Sequence, residues 1–227
     1  MGVSMTENAI SSLVERCAKD RFLFVLIALL SFLILSPLLK GFIGLSTLLD
    51  IFLTIVFISS IYAVSQKKHH LIIAVLLVLP LLLSIGAKYF IESTALSIVG
   101  TFSGILFFGF MVVTILSFVL QQAKVTLNVI YAAVVVYLSL AMMWGMIFIL
   151  MEILQPGSIT VGQTGEGTFH LFYFSFVTIT TLGYGDITPT TDIARSLALL
   201  EAVIGQIYLV VLVARLMGIH IAQSMKE

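Results

Sequence analysis

The chain has 227 residues, of which 60% are hydrophobic and only 10% charged, with eleven basic and eleven acidic side chains and no net charge at pH 7. Soluble domains carry about a quarter charged residues and nucleic-acid binders present a basic face, so neither class fits. One cysteine, Cys17, excludes an intramolecular disulfide and a cysteine-based metal site.

Taken in chain order, residues 1–20 carry Ile10, Leu13, Val14, Cys17 and Ala18 at helical spacing, the pattern of a short helix lying in a membrane interface. Residues 1–6 also fit the loose myristoylation pattern, a weak motif. Crossing a bilayer core takes about 20 apolar residues. Six runs qualify: Phe22–Leu39, Thr47–Val64, Leu71–Phe90, Ala95–Leu120, Val125–Leu154 and Thr190–Ile219. The first lacks a following cleavage site, so it reads as a span and not as a signal peptide. Pro37 and Pro80 lie in or near spans, where neighbouring helices must re-satisfy the freed carbonyls. Asp50, Lys88 and Glu92 sit near span ends and can face the headgroups. The Lys67-Lys68-His69-His70 turn reads as a topology signal, with anionic lipid binding as the alternative. From Ser97 to Leu120 there is no lysine, arginine or histidine. The connection from 121 to 126 is short, which predicts that the first four helices pack beside the last two of the same chain.

Between the last two spans lies Phe169–Thr181, apolar but too short to cross, which predicts a re-entrant helix buried in protein. Thr168 is positioned to cap it. Its C-terminal dipole would favour a cation by about 0.3–1 kcal/mol. His170 stands in its first turn and reads as a packing residue or a pH sensor. With the N-terminus inside, cytoplasmic segments hold Arg16, Lys19, Arg21, Lys67, Lys68, Lys124, Arg215 and Lys226, and external ones only Lys40, Lys88 and Arg195. Both termini are therefore expected in the cytoplasm, which requires an even number of spans. The fold class is all-α membrane protein, with six spans, a re-entrant helix and a loop.

That loop, Thr180-Thr181-Leu182-Gly183-Tyr184-Gly185-Asp186, is the most informative stretch. Two glycines flanking an aromatic permit backbone angles that other residues resist. Successive carbonyls can then face one axis and replace the water around a dehydrated cation. One strand cannot enclose an ion and the chain has one copy, so a homotetramer with an axial pore is expected. The sequence resembles the potassium channel family, specifically its six-helix bacterial members, departing from the commonest signature by Leu182 in place of valine. The motif resemblance covers about residues 125–219.

The resemblance implies K⁺ sites at the carbonyls of Thr181, Leu182, Gly183 and Tyr184 and the Thr181 hydroxyl, with Gly185 and Asp186 closing the outer mouth. Tyr184 would pack the filter against the re-entrant helix, and Phe172, Tyr173, Phe174 and Phe176 would form an aromatic cuff. Asp186 either bonds the Tyr173 hydroxyl or is solvated at the mouth. In the last helix Gly205 falls at the family's hinge position, where it either permits bending or allows close packing. Gln206, Leu209, Val213 and Met217 would line the cavity and inner gate by the family's spacing. Glu201 is costly in a membrane. It is expected to bond the back of the re-entrant helix at Thr178 or Thr180, or else to face the cavity. Voltage-gated relatives carry arginines on the fourth span, and this chain has none, so no voltage sensing is expected.

The sequence divides into an interfacial helix (1–20), a four-helix sensor-like unit without gating charges (21–121) and a pore unit (122–227). Only nine residues follow Gly218, and no phosphate loop, EF-hand or zinc spacing occurs. The expected function is passive K⁺ conduction in the cell membrane, with K⁺ as permeant ion, no cofactor, no enzymatic site, and only copies of the chain and membrane lipids as partners. A K⁺ uptake component or a non-conducting scaffold subunit are the alternatives.

Overall fold

The computed structural model describes residues 21–38, 45–64, 68–87, 89–91, 93–161 and 168–225. The expectations placed on residues 1–20, Lys40, Lys67, Lys88, Glu92 and Lys226 lie outside them. Seven helices and two short strands follow in order: α1 (Arg21–Leu38), α2 (Leu45–Val64), α3 (Lys68–Ala87), α4 (Thr94–Gln121), α5 (Leu127–Leu154), β1 (Ile159–Val161), α6 (Phe169–Ile179), β2 (Ile187–Pro189) and α7 (Asp192–Ser224). Each apolar run has become a helix, because a long apolar segment buries its backbone bonds most simply within itself. Four of them, α3, α4, α5 and α7, are long and apolar enough to cross a membrane, while the described side chains of α1 and α2 cover shorter apolar stretches.

Helix starts follow local chemistry. The hydroxyls of Ser93, Thr126 and Thr191 accept from Leu96, Val129 and Ala194 amides, starting α4, α5 and α7. Pro80 stands inside α3. Its missing amide frees the Leu76 carbonyl, and in the same turn Ser103 of α4 donates to the adjacent Leu77 carbonyl, fastening α4 to α3 there.

The four N-terminal helices pack on one another and, through α1 and α4, on α5 of the same chain. Aromatic rings fill the seams. Phe57 of α2 meets Phe107 and Phe108 of α4 at 5.0 and 5.4 Å. Phe32 of α1 meets Phe172 of α6 edge-on at 5.2 Å. Arg21 lies over the rings of Phe22 and Phe118, at 4.5 and 5.2 Å.

One feature departs from an all-α chain. β1 and β2 pair antiparallel, with Ile159 opposite Pro189 and Val161 opposite Ile187. Three-residue strands are too short to leave a periodic signal, although their β-branched residues suit them. The ribbon fastens the chain leaving the 180–186 loop to the turn after α5. Thr190 adds two more bonds, its amide to the Ser158 carbonyl and its hydroxyl to the Gly157 carbonyl. The Glu152 carboxylate accepts from the Gly157 and Ile159 amides and holds that turn from the other side.

Candidate functional site

The site is built on α6, the loop after it, and the two long helices that flank it. α6 has eleven residues, about 16 Å, too short to span a bilayer core. Its Phe172 and Phe174 are buried. Phe172 packs edge-on against Phe32 of α1 and Phe174 against Phe148 of α5 at 4.9 Å, fixing α6 to the flanking helices. Thr168 stands before the helix but makes no capping bond, because its backbone is already helical (φ −82°, ψ −7°) where a capping residue is extended.

At the other end, α6 turns directly into the loop. The Thr181 amide donates to the Thr178 carbonyl at 2.9 Å, and the Leu182 and Gly183 amides donate to the Val177 carbonyl at 2.9 and 3.4 Å. Three successive N–H groups are thereby turned back onto the helix. Among the described residues, the carbonyls of Thr181 to Gly185 accept no hydrogen bond. Left-handed backbone recurs at alternate positions: Thr181 (φ 57°), Gly183 (φ 59°) and Gly185 (φ 77°). The glycines adopt it without penalty. Thr181, β-branched, does so at a cost of about 1–3 kcal/mol. A helix or strand would pair these groups. Here five consecutive residues, exposed on the single chain, keep their carbonyls for another partner.

The last-turn carbonyls of α6 are less open than a bare helix end. Those of Phe176, Val177 and Thr178 accept from the loop amides or the Thr180 hydroxyl, and that of Ile179 accepts from the Tyr137 hydroxyl at 3.0 Å. The negative end of this helix is therefore partly spent on holding the loop, and its field beyond the loop is correspondingly weaker.

Both ends of the loop are tethered. At the outer end the Tyr173 hydroxyl donates to the Asp186 carboxylate at 2.8 Å. At the inner end the Gln206 side-chain amide lies 3.4 Å from the Thr181 hydroxyl. Tyr184 leaves 67% of its surface open on the single chain.

Behind α6, polar contacts tie three helices together. Glu201 of α7 is fully buried, and its Oε1 accepts from the Ser175 hydroxyl at 2.5 Å. Ser175 also lies 2.7 Å from the Ala141 carbonyl of α5. The partner is therefore Ser175, one turn before Thr178, and neither Thr178 nor Thr180, whose hydroxyl bonds its own helix. Nor does Glu201 face a cavity. The cause is register. Gly205, one turn after Glu201, lies against Ile179, one turn after Ser175, so the helices run side by side with matched steps. A Cβ on Gly205 would stand 2.6 Å from the Ile179 carbonyl oxygen, a close approach only glycine allows. The sequence pattern missed Tyr137 and Tyr208. Their rings stack at 5.8 Å, and Tyr208 donates to the Ala133 carbonyl at 2.6 Å, joining α7 to α5.

Leu209 is half-buried, while Gln206, Val213 and Met217 are exposed and fall on one side of α7. Among the described residues no cluster of histidine, cysteine or acidic groups could hold a metal.

No curated protein and no solved structure gives a significant match to the chain. Residues 125–220, which hold α5, α6, the loop and nearly all of α7, match the family model described as ion channel, so this stretch is similar to an ion-channel domain.

Proposed function

We propose that the chain is the subunit of a homotetrameric, potassium-selective channel that passes K⁺ down its electrochemical gradient. In this proposal α1–α5 and α7 are six membrane crossings, both termini are cytoplasmic, and α6 is a re-entrant pore helix in the cell membrane. Residues 21–121 serve as a sensor-shaped scaffold and 122–227 as the pore. The carbonyls of Thr181, Leu182, Gly183 and Tyr184, with the Thr181 hydroxyl, replace the hydration shell of K⁺. Gly185 and Asp186 end the filter at the outer mouth, and Thr180 and Tyr173 support it. Gln206, Leu209, Val213 and Met217 line the cavity and the inner mouth.

One observation carries the proposal: the carbonyls of Thr181 to Gly185 have no hydrogen-bond partner among the described residues, the first three amides of the run are committed to α6, and the run is exposed on a single chain. Non-helical backbone at membrane depth is tolerated only where it is buried in protein or lines a water-filled cavity. Four copies around an axis supply one. The α7 side chains Leu199, Val203 and Val210, uncovered by their own chain, support a further helix–helix interface there. The voltage-independent part of the proposal rests on α4, which has no basic residue.

The test is K⁺ efflux from proteoliposomes loaded with K⁺ and diluted into Na⁺, with a K⁺ ionophore as the full-release control. Efflux that disappears in Gly183→Asp supports the channel. Absence of efflux across lipids, pH values and voltages refutes it in favour of a non-conducting subunit.

A further inference from the structure

We propose that the slot between α4, α5 and α7 is a binding site for one anionic phospholipid, its acyl chain along the apolar wall and its phosphate on Arg215. The proposal rests on the membrane location of the chain and not on K⁺ selectivity. The cavity measures about 320 Å³. Val112, Leu116 and Leu120, one turn apart on α4, form one wall, and Ile204, Val211 and Arg215 of α7 form the other. At 1.5 Å per residue these walls run about 12 and 16 Å along the helices. That is a narrow channel directed across the bilayer, the shape of one alkyl chain.

Its two ends differ in chemistry. Along the wall no polar group is offered, since the Tyr208 hydroxyl is already committed to the Ala133 carbonyl and only its ring faces inward. At the other end stands Arg215, level with the last turn of α4, where its guanidinium donates to the Leu120 carbonyl. The polar connection 122–126 begins there, which places the guanidinium at the boundary of the hydrocarbon. Its Nε is buried and has no hydrogen-bond partner. Among the described residues no carboxylate pairs with Arg215, the Arg195–Asp192 pair being elsewhere. A half-buried guanidinium with unused donors binds a phosphate with charge-assisted, bidentate hydrogen bonds.

The slot is also turned away from the face that copies would share. At 3.6 residues per turn, Arg215 lies half a turn around α7 from Gln206. With Gln206, Val213 and Met217 turned to the axis that the copies share, the slot lies on the opposite side of α7 and is left to lipid.

The experiment uses the full-length assembly, reconstituted with phosphatidylglycerol or phosphatidylcholine, re-extracted and weighed by native mass spectrometry. One phosphatidylglycerol per chain should be retained, and phosphatidylcholine should be lost. Arg215→Gln keeps a polar hydrogen-bond donor at this position but carries no charge. It should lower retention about fivefold, the worth of one basic side chain at an anionic membrane surface. Val211→Trp, filling the slot while leaving Arg215, should abolish retention. Equal retention of both lipids, or unchanged retention in both variants, overturns the proposal. So does a photoreactive side chain at position 211 that captures a second copy of the chain and no lipid. K⁺ efflux measured on the same preparations reports separately on conduction, so a failure of either proposal is seen on its own.

Discussion

Replacing Gly205 by alanine separates a packing role from a hinge role. The new Cβ would stand 2.6 Å from both the carbonyl oxygen and Cγ1 of Ile179, about 0.8 Å short of ordinary contact. The isoleucine side chain can rotate away, but the carbonyl is backbone, and it is held by the Tyr137 hydroxyl at 3.0 Å. Relief therefore requires α7 and the end of α6 to part. Overpacking of this kind costs about 1–3 kcal/mol. Alanine returns about 1 kcal/mol over glycine in a helix interior. A central net loss of about 1 kcal/mol remains, roughly a fivefold shift toward the dissociated or unfolded form. Because Ile179 directly precedes Thr180 and Thr181, the displacement also reaches the filter. Thermal dissociation of the detergent-solubilised assembly, read by size-exclusion chromatography, should shift downward, and K⁺ efflux should fall. Gly205→Ser should behave worse. If Gly205→Ala instead stabilises the assembly, as helix propensity alone dictates, and alters only opening frequency, the close-packing account is wrong.

The Glu201–Ser175–Ala141 contact gives a second prediction. A hydroxyl has one hydrogen, so Ser175 can donate to only one of its two acceptors, and Glu201→Gln, which brings a hydrogen of its own, should be tolerated. Ser175→Ala leaves a buried carboxylate without its partner and should lower stability by about 1–3 kcal/mol in the same dissociation assay; equal behaviour of the two variants would count against the arrangement. Tyr173→Phe removes the outer tether at Asp186 and, at about 0.5–1.5 kcal/mol for an exposed bond, should speed the decay of single-channel activity without abolishing K⁺ flux. Unchanged open-time distributions would show that the bond does not support the filter. Planar-bilayer open probability should change little between about −100 and +100 mV, because α4 carries no charge on which the field could act. A steep, saturating conductance–voltage curve would contradict that.

The helices and the loop were legible because each depends on local sequence. Runs of about 20 apolar residues leave few alternatives in a membrane, and the helix ends fall within a few residues of those runs. Gly183 and Gly185 announced left-handed backbone, which the structure has at both. Thr181 did not, since a β-branched residue resists that conformation and adopts it only because its amide is pulled back to Thr178. Contacts between elements were harder to read. The cost of a carboxylate in the membrane made the back of α6 the expected face for Glu201 but could not set the slide of one helix along the other. That slide is fixed by Gly205 against Ile179, and stepping back one turn from both residues leads to Glu201 and Ser175. The Tyr137–Tyr208 stack and the cap made by Glu152 left no motif at all, because each depends on residues 71 and five to seven positions apart meeting by packing. In the proposed tetramer the exposed carbonyls and Tyr184 would meet neighbouring copies, which no local sequence pattern describes.

The central claim is that dehydrated K⁺ moves through the carbonyls of Thr181 to Tyr184. Its most direct test is the reversal potential of single-channel current across a bilayer with K⁺ on one side and Na⁺ on the other. A reversal displaced far toward the K⁺ equilibrium potential, and collapsing toward zero in a variant that still conducts but has lost Gly183, is the expected result. A wild-type reversal near zero would contradict the account.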